Sequence, residues 1–155
     1  MNKSKIFLLL LTPALLCGCT SKCTFQEYKD KVDSIDVEAI PSTTKVELSC
    51  NDGKNKDSVT LDGTINDAIS NLIENTYRDY YRIALSTIAQ TFRMGWGSGD
   101  PNFTYFMGSS GTKIVDKRDN LETTYEFNKY GHCTRYIEKT SDSKIEVRVK
   151  YTYAV

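Results

Sequence analysis

The sequence predicts an α+β domain: an antiparallel, curved β-sheet with a C-terminal meander, packed on one long helix plus a short N-terminal helix. Three observations carry this. Residues Ile145 to Tyr153 alternate apolar and polar without a break, as a half-buried strand does. From Ile69 to Ile88 the apolar positions recur at three and four instead, with no Gly or Pro before Gly95. Ten Tyr and six Phe against three Pro supply aromatic strand faces and argue against a disordered chain.

Before the domain, Met1 to Lys5 carries Lys3 and Lys5 and no acid, and Ile6 to Leu16 is apolar apart from Thr12 and Pro13. A charged start and a short apolar core form an export signal. The run is too short to cross a bilayer as a helix, which takes about 20 residues. The four residues Leu16-Cys17-Gly18-Cys19 resemble the bacterial lipobox, with Leu, a small residue and Gly before the modified cysteine. The resemblance implies cleavage before Cys19 and diacylglycerol on its sulfur. Cys17 is the competing acceptor, but it follows two bulky leucines. Each buried CH₂ contributes ~0.8 kcal/mol, and two chains hold a protein stably where one does not. The expected organisation is a signal peptide over 1–18, a lipidated tether over 19–24 and a single α+β domain over 25–155, anchored on the extracytoplasmic face of a membrane.

Loss of the leader removes Lys3 and Lys5 from a chain with equal numbers of bases and acids, so the mature protein is slightly acidic. That disfavours nucleic acid as a partner. Of the five cysteines, Cys17 leaves with the leader and Cys19 carries lipid, so Cys23, Cys50 and Cys133 remain. An odd number permits at most one internal disulfide. Cys50 and Cys133 both fall on expected strands, and the alternatives are one bridge between them or three unpaired thiols.

Taken in order, Thr24 and Glu27 form a capping box ahead of a helix over Phe25 to Ile35, whose apolar stripe is Phe25, Tyr28, Val32 and Ile35. Thr44 to Cys50 and Ser58 to Leu61 alternate on either side of a polar loop and read as a hairpin. Asp52, Asn55 and Asp57 in that loop lack the ligand spacing of a calcium hand. The long helix is expected from about Asp67 to Gln90 or Phe92, roughly 35 Å at 1.5 Å per residue, with Tyr77, Tyr80 and Tyr81 as an aromatic band. The glycine-rich stretch Gly95 to Pro101 follows a helix and lacks the GxGxxG pattern, so it is a poor phosphate loop. Trp96 between two glycines is a candidate contact residue. Four strands then follow from Asn102 to Val155, with Lys113 to Lys117 a return strand or a short stub. Asn128-Lys129-Tyr130-Gly131 suits a type I turn with Gly131 in the left-handed conformation. Pairing Phe127 with Cys133 and Thr123 with Ile137 places the apolar members on one side.

Candidate chemistry is sparse. His132, the single histidine, neighbours Cys133, but adjacent strand residues face opposite ways, so they form no dyad. The chain lacks closely spaced Cys and His pairs for zinc, and no cofactor motif stands out. The expectation is therefore a non-enzymatic protein.

The run Thr124 to Gly131, followed by Thr134-Arg135-Tyr136, is similar to hairpins of uncharacterised secreted lipoproteins, and the order of elements resembles the LolA- and LppX-like lipoproteins. That resemblance implies an apolar ligand held between sheet and helix. The leading expectation is a lipid-anchored protein binding an apolar or amphipathic ligand, with Tyr77, Tyr80 and Tyr81 as candidate contacts. The alternative is a surface interaction or adhesion module that touches a protein or envelope polymer.

Overall fold

Thr24 starts the first helix as its sequence foretells. The Thr24 side chain accepts from the Glu27 N–H while the Glu27 carboxylate accepts from the Thr24 N–H, closing the capping box of α1, Phe25–Asp33. Tyr28 is its fully buried residue, and its hydroxyl lies 3.0 Å from Thr112 Oγ1. The computed structural model describes residues 20–86 and 100–155 of the chain.

The strands are β1 (Ser21–Cys23), β2 (Thr43–Asn51), β3 (Lys56–Asp62), β4 (Phe103–Met107), β5 (Gly111–Arg118), β6 (Leu121–Asn128), β7 (Cys133–Lys139) and β8 (Lys144–Tyr153). They form one antiparallel sheet in the order β1-β4-β5-β6-β7-β8-β2-β3. Five strands follow Asn102 where the sequence reading counts four, because Lys113 to Lys117 belongs to a full strand, β5. The expected tether is also corrected. Ser21–Cys23 pairs with β4, Ser21 opposite Met107, so it is an edge strand of the sheet.

Registers align into rows that cross all eight strands. The inner row runs Cys23, Tyr105, Ile114, Tyr125, Tyr136, Val147, Cys50, Asp57. Six of these side chains are apolar, aromatic or thiol groups under 6 % exposed, and they form the floor of the core. The adjacent outer row runs Lys22, Phe106, Lys113, Glu126, Arg135, Arg148, Ser49, Ser58. Strand alternation thus sorts the sheet into an apolar face under the helices and a polar face opposite.

The β6–β7 hairpin closes as expected. Gly131 has φ +77°, and its N–H donates to the Asn128 carbonyl at 2.9 Å. The expected register beyond the turn does not persist. Phe127 faces Cys133, but Glu126 faces Arg135, so Thr134 is an extra residue and Thr123 meets Glu138 instead of Ile137. This bulge turns Tyr136 inward, where its ring lies 4.9 Å from that of Tyr125, with both tyrosines buried.

The single long helix is replaced by two short ones, α2 (Ile65–Asn71) and α3 (Arg78–Ala84). Asn75 is the reason. Its Oδ1 accepts from the Tyr77 N–H at 2.8 Å, a local bond that competes with the helical ladder, and its Nδ2 donates to Asp57 at 3.3 Å. α3 is then held to the β2–β3 hairpin by two phenols: Tyr77 donates to Asp52 at 2.9 Å and Tyr81 to Asp57 at 2.6 Å. Residues 87–92 of the expected helix lie outside the described residues, as does Trp96.

The expected Cys50–Cys133 bridge is not formed, and Cys23, Cys50 and Cys133 are free thiols. Cys50 pairs with Val147, and Val147 with Tyr136 of β7, so β8 stands between the two cysteines. Two strand spacings amount to ~9.6 Å, beyond the roughly 7 Å that a disulfide spans.

Candidate functional site

The concavity best placed to receive a ligand lies where α2 meets one end of the sheet. Ile65 and Ile69 come from α2, Ile40 and Pro41 from the connection before β2, Leu85 from the end of α3, and His132 from the β6–β7 turn. These enclose a groove of about 360 Å³, with Thr43 and Thr64 adding hydroxyls. The apolar members have sequence causes. Thr64 caps α2 in a second capping box with Asp67, which sets the helix so that Ala68 and Leu72 are buried and Ile65 and Ile69 are half-buried beside them. The Gly63 N–H donates to the Thr44 carbonyl at 2.8 Å and ties this start of α2 to β2.

His132 is the polar group at the sheet end. Its backbone N–H and that of Tyr130 both donate to Asn128 Oδ1. Its Nδ1 lies 2.8 Å from the Tyr153 hydroxyl, which also accepts from Asn128 Nδ2 at 2.8 Å. In the tautomer where the Tyr153 hydroxyl donates to Nδ1, the imidazole carries its hydrogen on Nε2. Burial lowers the His132 pKa from its usual 6.5. The ring is neutral at physiological pH and in that tautomer offers an N–H donor.

This gives a pH dependence with a definite sign. The folded pKa lies below the unfolded one, so the unfolded chain binds the proton more readily, and stability falls as pH drops from about 6.5 through the folded value. His132→Asn, whose amide can replace Nδ1 toward Tyr153, is expected to flatten the slope of unfolding free energy between about pH 6.5 and 5. Denaturant titrations across that range check it, and an unchanged slope would overturn it.

The tyrosines picked out from the sequence lie elsewhere. Tyr81 is fully buried and Tyr77 is bonded to Asp52, so both secure α3. Tyr80 packs half-buried against the core. Asp52 is equally structural: the N–H groups of Asn55 and Lys54, then the Tyr77 hydroxyl, hold its carboxyl down to about 2. Cys133 and His132 diverge, the thiol donating to the Arg135 carbonyl at 3.3 Å. Burial pushes the Cys133 thiol up to about 12, and burial with Asp52 and Asp57 nearby pushes Cys50 up to about 11. Both stay protonated and unreactive at neutral pH. Among the described residues no three His, Cys, Asp or Glu side chains gather to hold a metal.

The groove has no motif in the sequence. Its residues come from four separated stretches, and the only advance signal is the pair of half-apolar connections, Val37 to Pro41 and Ile65 to Ile69. Among the described residues no helix is long and apolar enough to cross a membrane. Compared with protein families, curated proteins and solved structures, the chain matches none.

Proposed function

We propose that the chain is an extracytoplasmic lipoprotein, tethered by diacylglycerol on Cys19, that binds a small amphipathic ligand in the groove between α2 and the sheet and performs no catalysis. The groove carries this reading. Its apolar walls suit a short acyl or ring system, and the neutral His132 imidazole at one end suits a hydrogen-bond acceptor such as a carboxyl or ester oxygen. At about 360 Å³ it sits at the small end of ligand pockets, which run from roughly 300 to 1,000 Å³. The membrane assignment rests on the charged start, the short apolar core and Leu16-Cys17-Gly18-Cys19.

Two measurements test it. Cys19→Ala should move the protein from the detergent phase to the aqueous phase, and continued partitioning would refute the anchor. Titration with a fluorescent medium-chain fatty acid should give saturable binding that Ile69→Glu weakens by roughly tenfold or more, because it sets a carboxylate in the apolar wall. Equal binding by both proteins would remove the groove from the reading.

A further inference from the structure

We propose that the outer face of the sheet docks on an anionic lipid bilayer, the membrane in which Cys19 is anchored. The docking rests on the anchor reading for its geometry, and it adds the lipid charge that the protein recognises.

Three observations support it. The first is charge segregation. Outward positions on six of the eight strands carry Lys or Arg, among them Lys22, Lys45, Lys56, Lys113, Arg148 and Lys150, whereas outward acids are about half as numerous. The opposite layer is acidic: Glu27, Asp30, Asp33, Asp36 and Glu38 stand against Lys29 and Lys31 in the first helical segment. A slightly acidic protein thus presents one basic face, whose field survives beyond its local ion pairs.

The second is shape and exposure. Eight strands at ~4.8 Å make a surface about 35 Å across, and no described element covers it. Lys150 and Arg148 are 78 % and 64 % exposed, even though Lys150 lies 3.7 Å from Glu47 and Arg148 3.2 Å from Glu146. Their ammonium and guanidinium groups can reach headgroup phosphates while their stems stay on the sheet.

The third is the position of the anchor. Thr20, one residue after Cys19, lines the same surface groove as Lys113, Glu126 and Thr134, all on the polar side of the sheet. With β1 paired into the sheet from Ser21 onward, one residue separates the acylated cysteine from the basic face. That placement favours a bilayer over a diffusible polyanion.

The test uses the full acylated chain on vesicles of phosphatidylcholine alone and of phosphatidylcholine mixed equally with phosphatidylglycerol. Lysines are labelled with an amine-reactive reagent and read by mass spectrometry. On the anionic vesicles, labelling of Lys56, Lys113 and Lys150 should fall by about threefold or more relative to the neutral ones, reversibly with salt, while Lys31 is unchanged. The double variant Lys22→Glu, Lys56→Glu should lose that protection with its thermal midpoint unchanged. Equal labelling on both vesicles would overturn the docking while leaving the anchor standing. A chain that sediments only with anionic vesicles would refute the anchor and still support the docking, and one that sediments with neither would refute both. Protection by soluble polyphosphate but not by anionic vesicles would overturn the bilayer in favour of a polymer.

Discussion

Gly111→Ala is expected to destabilise the protein by about 3 kcal/mol or more, at the upper end of overpacking costs. A Cβ at position 111 would stand 1.9 Å from the Phe127 carbonyl oxygen, 3.0 Å from its carbon and 3.2 Å from Asn128 Cα. All three are backbone atoms, so no rotamer change relieves the overlap. Gly111 is opposite Asn128 in the β5–β6 ladder, and its carbonyl accepts from the Gly108 N–H at 2.9 Å to close the β4–β5 turn. Relief therefore means parting β5 from β6 and loosening the Asn128 turn that holds His132. Urea denaturation checks it, with exposed Ser110→Ala as a control expected within about 0.5 kcal/mol of wild type. A loss below about 1 kcal/mol at Gly111 would show that the strands approach less closely.

Tyr81→Ala is expected to cost about 3–5 kcal/mol, as for other large aromatic deletions from a core. Tyr81 is fully buried, and its ring meets that of Tyr77 edge-on at 6.5 Å. Tyr81→Phe separates the ring from the hydroxyl. It keeps the packing but leaves the part-buried Asp57 carboxylate with Asn75 alone, at an expected cost of about 1–3 kcal/mol. Combining Tyr81→Phe with Asp57→Asn should cost less than the two single changes added together, because both remove the same bond. Strict additivity would mean that the phenol does not hold the hairpin.

Elements that announce themselves through local chemistry were legible in the sequence. The Thr24 and Glu27 capping box, the strand alternation of β8 and the Gly131 turn each depend on residues within a few positions of one another, and each forms. What failed depends on distant partners. Ser21–Cys23 is too short to show a period and becomes a strand only because β4 is beside it. The apolar period from Ile69 to Ile88 is compatible with one helix, but Asn75 takes the Tyr77 N–H out of the ladder, and its bond to Asp57 in the β2–β3 hairpin holds it there. Cys50 and Cys133 were both placed correctly as inward residues. Their pairing depended on strand order, and the insertion of β8 between β2 and β7 leaves no local trace. The groove joins four stretches and was illegible for the same reason, while the lipobox reading, being local, requires no fold.

The strand at the sheet's N-terminal edge also bears on the order of events during biogenesis. Ser21 leaves the ribosome early, yet its partner Met107 lies in the second half of the chain. Closing so long a loop is entropically unfavourable until β4 and β5 exist to receive β1. On the proposed acylation of Cys19, the modifying and cleaving enzymes therefore meet an extended, unpaired substrate. Ser21–Cys23 is drawn into the sheet only afterwards, so the segment just past the proposed processing site is accessible first and structural later.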